Sequence, residues 1–202
     1  DHLQMSPPLR RIASLTLASL AVCLLGDLVN RNFGGAHFSH DNVIEHSYLV
    51  DSIVFFFPGY LLFIVAAWLA TRDRVSLTLR TGSLVIAATA GALSFAGLVL
   101  PGASPYVVAM TASYTLLISM VSATALWLLR GFGVALWPVA LGALLATVAD
   151  AIIGHFWLFG KGFYPAAAYI NMIVYFLSQA LLQQLPLQLS TVAVTPDGYG
   201  KA

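Results

Sequence analysis

Apolar residues run along the chain in stretches of about 20, the length at which a helix spans the hydrocarbon core of a bilayer. Short segments rich in proline, glycine or charge separate these stretches. The pattern predicts six helices, over 12–29, 48–70, 79–100, 106–129, 134–157 and 163–185. We therefore expect an all-α, polytopic transmembrane helical bundle that forms one domain over residues 1–186, with a disordered tail over 187–202.

Polar side chains recur at helical spacing inside the fifth and sixth predicted helices. The two stripes are Thr147, Asp150 and Gly154 on the fifth, and Asn171, Tyr175, Gln179 and Gln183 on the sixth. Such residues share a helix face, and polar groups in lipid are costly unless they face protein or a water-filled cavity. The stripes therefore predict a shared polar pocket. Thr115 of the fourth helix either lines this pocket or returns its hydrogen bond to its own helix.

The first predicted hairpin resembles the last one. Segments 51–62 and 171–182 share five identical residues, and upstream Asp27 takes the place of Asp150. Because helices 1 and 5 of a six-helix chain cross the membrane in the same direction, we predict a parallel repeat of helices 1–2 and 5–6. The repeat would bring Asp27 and Asp150 to matching depths. The alternative for Asp27 is an ion pair with Arg31, four residues further on.

Composition supports an integral membrane protein. Hydrophobic residues make up 59% of the chain and charged residues 8%, and the mean hydropathy is +0.87, outside the range of soluble domains. A net charge of +1 gives no reason to expect nucleic acid as a partner. The only cysteine, Cys23, excludes an internal disulfide and a cysteine metal cage.

The distribution of lysine and arginine predicts the orientation. In a six-helix arrangement one side carries Arg10, Arg11, Arg72, Arg74, Arg80, Arg130 and Lys201. The other side carries only Arg31 and Lys161. Positive residues accumulate on the cytoplasmic side, so we expect both termini in the cytoplasm and a multi-pass protein of the bacterial inner membrane.

The first loop concentrates ligand chemistry outside the helices. His37, His40 and His46 lie there with Asp41 and Glu45, and imidazole with carboxylate is a donor set for zinc or another divalent ion. Their spacing matches no defined metal signature, so we favour a solvated, pH-sensitive loop. We expect no metal and no other cofactor.

Several motifs resemble those of the YhhN family of small membrane proteins, whose studied members include lysoplasmalogenases. The similar segments are Gly142-Ala-Leu-Leu-Ala-Thr-Val-Ala-Asp150, Tyr175-Phe-Leu-Ser-Gln179-Ala-Leu-Leu182, the helix from Tyr114 to Ala123, and Gly26-Asp27. Three features depart from the family pattern. Two leading helices of about eight are expected to be absent, Pro58-Gly59-Tyr60 stands where members tend to carry a histidine, and Ala149 replaces a serine.

The resemblance implies an intramembrane hydrolase that cleaves the vinyl ether of a lysoplasmalogen or related lysophospholipid. Such a reaction needs a carboxylic acid to protonate the alkene and a second carboxylate to stabilise the cation and activate water. We predict Asp150 as the acid and Asp27 as its partner. The residues expected to orient substrate or water are Asn171, Tyr175, Gln179, Thr147 and Thr115.

A second interpretation stays open with equal weight. With its small-residue helix faces, the chain could be a non-catalytic accessory or scaffold subunit of a larger membrane complex, or a membrane sensor module. Its partners would then be other membrane subunits, whereas the hydrolase would bind a lipid substrate or bilayer lipids.

Overall fold

A computed structural model describes residues 6–35, 37–158 and 165–194. Its helices are α1 Pro7–Asn30, α2 Ile53–Thr71, α3 Leu77–Ala96, α4 Pro105–Phe132, α5 Trp137–Ile153, α6 Pro165–Leu182 and α7 Leu185–Val194. The described ranges contain no strand, and α1 to α6 follow the order of the six predicted helices with ends shifted by a turn or two. The prediction of an all-α transmembrane bundle is confirmed.

Five stretches are long and apolar enough to cross a membrane, and one of them, Pro105–Phe156, contains both α4 and α5. The chain reverses between these two helices at Gly133, whose φ of 62° favours glycine. Thr147 of α5 donates a hydrogen bond to the carbonyl oxygen of Ile118 in α4, at 3.0 Å. Because the two helices lie side by side, this stretch crosses twice, and the part of the chain described here has six crossing helices.

The helices pack mainly with their neighbours in sequence, and α4 lies at the centre. It contacts α2, α3 and α5, while α1 pairs with α2 and α5 pairs with α6. α1 and α6 do not pack along their lengths, and neither do α3 and α5. A cavity lies between the helices of each of these two pairs.

Small residues let the helices of each hairpin touch. A Cβ atom on Gly59 of α2 would lie 2.6 Å from Sγ of Cys23, and one on Gly142 of α5 would lie 2.9 Å from Cβ of Leu181. On α3, a Cβ atom on Gly91 would lie 2.5 Å from Oγ of Ser119. Such approaches are typical of membrane helix pairs. Gly91 therefore lets α3 pack closely against α4.

Three predictions concern the extent and symmetry of the fold, and the structure contradicts one of them in part. The disordered tail predicted from residue 187 is wrong for its first part, because α7 continues to Val194. Pro186 falls in the first turn of α7, where its missing N–H costs nothing, and Leu185 is fully buried. Residues 195–202 lie outside the described ranges. The single domain over 1–186 and the parallel hairpin repeat stay predictions.

The first loop folds back onto the bundle. The Asp41 carboxylate accepts hydrogen bonds from the backbone N–H groups of Ser104, Val43 and Ile44, and Ser104 is the N-cap of α4. Desolvation acts in the opposite direction, but these N–H donors hold the pKa of Asp41 below its ordinary value. The loop is therefore attached to the end of the bundle at which α1 and α5 end.

Candidate active site

A cavity of about 710 Å³ lies between α1 and α6, with α5 behind it. We call it the α1–α6 groove. Asp27 lines it from α1, Asn171 and Tyr175 line it from α6, and Asp150 lines it from α5. Arg31, directly after α1, stands at the end nearest the first loop. The two acidic residues predicted to work together therefore lie in one groove, although their catalytic roles stay predictions.

Tyr175 holds Asp27. Its hydroxyl group donates to Oδ2 of Asp27 at 2.9 Å, from a residue 148 positions later in the sequence. The alternative ion pair between Asp27 and Arg31 is not among the salt bridges of the described residues. The hydrogen bond across the groove explains why a carboxyl group is tolerated at this depth.

Asp150 is partly exposed to its surroundings, but its Oδ2 atom is buried and has no hydrogen-bond partner among the described residues. The hydroxyl groups of Tyr60 and Tyr114 face this carboxyl group. Tyr60 is fully buried, and its hydroxyl oxygen accepts a hydrogen bond from Nε2 of Gln179 at 3.2 Å. Asp27 is close enough to interact with Asp150 electrostatically. An unpaired buried oxygen between aromatic hydroxyls is an arrangement that calls for a functional explanation.

A second cavity, of about 310 Å³, lies between α3 and α5 over α4. We call it the α3–α5 groove. Asp150 lines it as well. The structure places Thr115 and Thr147 in this groove, apart from Asn171 and Tyr175. Thr147 is bonded to Ile118 of α4, and Thr115 lies where α4 passes Gly91 of α3. Sequence spacing predicted one shared pocket, and the folded chain has two whose linings share Asp150.

Sequence reasoning missed Tyr60 and Tyr114 as parts of the site. Tyr60 lies in a helix without a polar stripe and stands where a family histidine was expected. Tyr114 lies in the fourth helix next to Thr115, the residue of that helix that was predicted for the site. The signal that could have found them is chemical. A tyrosine in the middle of a membrane helix needs a partner for its hydroxyl group, and the acidic residues of neighbouring helices are the obvious acceptors.

The histidines of the first loop lie at the end of the bundle at which α1 and α5 end. Nε2 of His40 is 2.8 Å from Oδ1 of Asp51, and Nδ1 of His37 is 3.7 Å from Oδ2 of the same residue. Tyr106 donates to Oδ1 of Asp51 at 3.2 Å. His46 lies elsewhere and lines the α1–α6 groove. Within the described residues no group of three or more histidine, cysteine or acidic side chains is placed to hold a metal ion.

Fold and site together define an integral membrane protein of the polytopic helical type, with two carboxyl groups in a groove between its helices. The model of the YhhN family matches residues 2–185, so the chain belongs to this family. The match covers Asp27, Asp150 and the tyrosines around them. No curated protein and no solved structure matched the chain.

Proposed function

We propose that this protein is an intramembrane hydrolase that cleaves the vinyl ether bond of lysoplasmalogen-type lipids. The observation that carries the proposal is the meeting of Asp27 and Asp150 in the α1–α6 groove. Membership of the YhhN family supports a lysoplasmalogenase-like activity. The reaction uses water and side chains of this chain, with no cofactor.

Asp150 is the proposed acid. Its carboxyl proton passes to the alkene carbon farther from the ether oxygen, which leaves an oxocarbenium ion at the carbon bonded to oxygen. Water adds to that carbon and loses a proton, giving a hemiacetal. The hemiacetal then collapses, its hydroxyl proton passing to the leaving oxygen, to a fatty aldehyde and a glycerophosphodiester. The proton that water gave to Asp27 returns to Asp150 and restores its carboxyl group. The hydroxyl groups of Tyr60 and Tyr114 orient the acid.

Asp27 is the proposed partner carboxylate. It stabilises the developing cation and accepts the proton from water. The 2.9 Å hydrogen bond from Tyr175 fixes its position, as preorganised electrostatic catalysis requires. The Asn171 side chain is buried in the same groove, and its Oδ1 atom is without a partner in the described part of the chain. It is placed to hold the attacking water.

The mouth of the α1–α6 groove suits a lipid that enters sideways. Leu24 and Leu28 of α1 are 50% and 58% exposed, and Phe176 of α6 is 50% exposed, and all three line the groove. These apolar side chains face the position of the lipid tails. An amphiphile could therefore reach the carboxyl groups without leaving the hydrocarbon phase.

The basic residues support an orientation with the site near the outer face of a bacterial inner membrane. Arg11, Arg72 and Arg74 lie together at the end of the bundle remote from the first loop, and Arg74 donates to the carbonyl oxygen of Gly131 at 3.4 Å. Since positive residues favour the cytoplasm, we propose that this end and both termini are cytoplasmic.

The test is an assay of purified protein in lipid nanodiscs on lysoplasmenylcholine and on ordinary lysophosphatidylcholine. We expect aldehyde release from the first lipid only, and its loss in Asp150→Asn. The control is Asp73→Asn, because Asp73 is highly exposed and pairs with Arg72 at the other end of the bundle. Equal background rates for the wild type and Asp150→Asn would refute the hydrolase and favour the accessory-subunit interpretation.

A further inference from the structure

Asp150 borders two grooves, and it is the residue that their linings share in the described part of the chain. The α1–α6 groove contains the second carboxyl group and Arg31. The α3–α5 groove contains neither. A substrate cleaved at Asp150 can therefore extend in two directions, into surroundings of different chemistry.

The α3–α5 groove is apolar in practice, although several hydroxyl groups line it. Thr111 donates to the carbonyl oxygen of Val107 at 2.6 Å, and Thr115 donates to that of Thr111 at 2.8 Å. Thr147 donates to the carbonyl oxygen of Ile118. Since these hydroxyl hydrogens, and that of Ser122, are already used by backbone carbonyls, the side chains besides Asp150 that still offer polar groups to a ligand are Ser94, Ser119, Tyr114 and His155. The rest of the lining is methyl, methylene and aromatic groups.

The length of the α3–α5 groove fits one hydrocarbon chain. Its lining on α4 runs from Thr111 to Ser122, which is about 16 Å at the helical rise of 1.5 Å per residue. A hydrocarbon core of about 30 Å gives each leaflet roughly half of that thickness. Because Tyr114 faces Asp150, about 12 Å of this lining, from Tyr114 to Ser122, runs beyond Asp150, which is close to the thickness of one leaflet. The groove opens to the side where α3 and α5 do not pack.

The α1–α6 groove offers the complementary chemistry for a head group. Arg31 stands at its loop end. A guanidinium group is well suited to a lipid phosphate. The vinyl ether of a lysoplasmalogen joins head group and chain, so the scissile bond belongs at the junction of the two grooves.

We infer that the α3–α5 groove binds the hydrocarbon chain of the lipid while its phosphate head group lies beside Arg31 in the α1–α6 groove. This inference rests on the proposed function, because it divides that substrate between the grooves. It assigns a chain-binding role to α3, in addition to the packing of its Gly91 against α4. Ala87, Ala90 and Ser94 of α3 form the wall of the chain site.

The test uses a non-cleavable 1-alkyl lysophospholipid with a diazirine at the end of its chain. After irradiation of the wild type in nanodiscs, peptide mapping should find adducts on α3 and α4 between Ala87 and Ser122. Ala90→Trp should reduce labelling there at least about tenfold, equivalent to about 1.4 kcal/mol of binding. Ala92→Trp is the matched control, because Ala92 is also exposed on α3 but does not line the groove. Ser94→Phe is a second blocking variant.

The outcomes separate the inference from the proposed function, because the analogue binds without turnover. Labelling of α3 and α4 without any hydrolysis by the wild type would refute the hydrolase alone. Hydrolysis together with adducts confined to α1 and α6 would refute the chain site alone. Equal labelling of the Ala90→Trp and Ala92→Trp variants, with both eluting as folded protein in gel filtration, would also overturn the inference.

Discussion

Tyr175→Phe removes the hydroxyl group that holds Asp27 and leaves the rest of the ring in place. Hydrogen bonds to a charged group contribute about 1.5–3 kcal/mol. The separation of 2.9 Å exceeds the roughly 2.5–2.7 Å of the strongest bonds between a hydroxyl group and a carboxylate. We therefore expect a loss near the lower limit, about 1.5 kcal/mol of transition-state stabilisation, which is about a tenfold fall in kcat.

The assay is aldehyde release from lysoplasmenylcholine at several substrate concentrations, so that kcat and KM separate. A positioning role predicts a lower kcat with KM nearly unchanged, because the hydroxyl hydrogen is taken up by the bond to the reacting carboxylate. Tyr169→Phe is the control on the same helix, since Tyr169 is 67% exposed and does not line either groove. A Tyr175→Phe variant with wild-type kcat, or one that changes only thermal stability, would refute the positioning role.

Two further predictions concern stability and pH. Gly59→Ala should lower the free energy of unfolding by about 1–3 kcal/mol through overpacking, because the added Cβ atom would lie 2.6 Å from Sγ of Cys23. Denaturant titration should show that the free energy of unfolding partly recovers in the Cys23→Ala background. Gly82→Ala, where nothing lies within 4 Å, is its control, and equal losses at both sites would contradict the packing argument. Attachment of the first loop should be complete above the ordinary Asp41 pKa of 3.8 and should weaken as the pH falls through the lower folded-state pKa. Hydrogen exchange of the Ser104 amide, corrected for intrinsic rates, measures this attachment. The wild type and the Asp73→Asn control should lose protection as the pH falls, and Asp41→Asn should have reduced protection at every pH. Full protection in Asp41→Asn would show that the carboxylate is not the anchor.

The helices of this protein could be predicted from sequence because the signal for them is local. Each crossing needs its own apolar stretch of about 20 residues, and small residues on α1 already marked the face that packs. Thr16, Ser19 and Cys23 follow one another at helical spacing in the sequence, and all three are buried. The sequence also led us to expect Asp27 and Asp150 in one site, and both line the α1–α6 groove, although the hairpin repeat from which their matching depths were predicted stays a prediction.

The parts that could not be predicted depend on how the helices are rotated about their axes. Spacing places Thr147 and Asp150 on one face, but it does not say that this face is divided between two grooves by α4. Tyr60 and Tyr114 come from helices far from Asp150 in sequence, so only packing brings their hydroxyl groups to it. The helix over Leu185–Val194 was missed because Pro186 resembles a terminator, although it is harmless in a first turn.

The tight reversal at Gly133 keeps α5 beside α4. The 3-10 turn Gly133–Leu136 joins the two helices, and the hydrogen bond from Thr147 to the carbonyl oxygen of Ile118 ties them again. Asp150 therefore stands on a helix that is attached to the central helix at two levels, whereas α1 and α6, and α3 and α5, do not pack along their lengths. A lipid that entered between those helices would displace less side-chain packing than one that entered between α4 and α5.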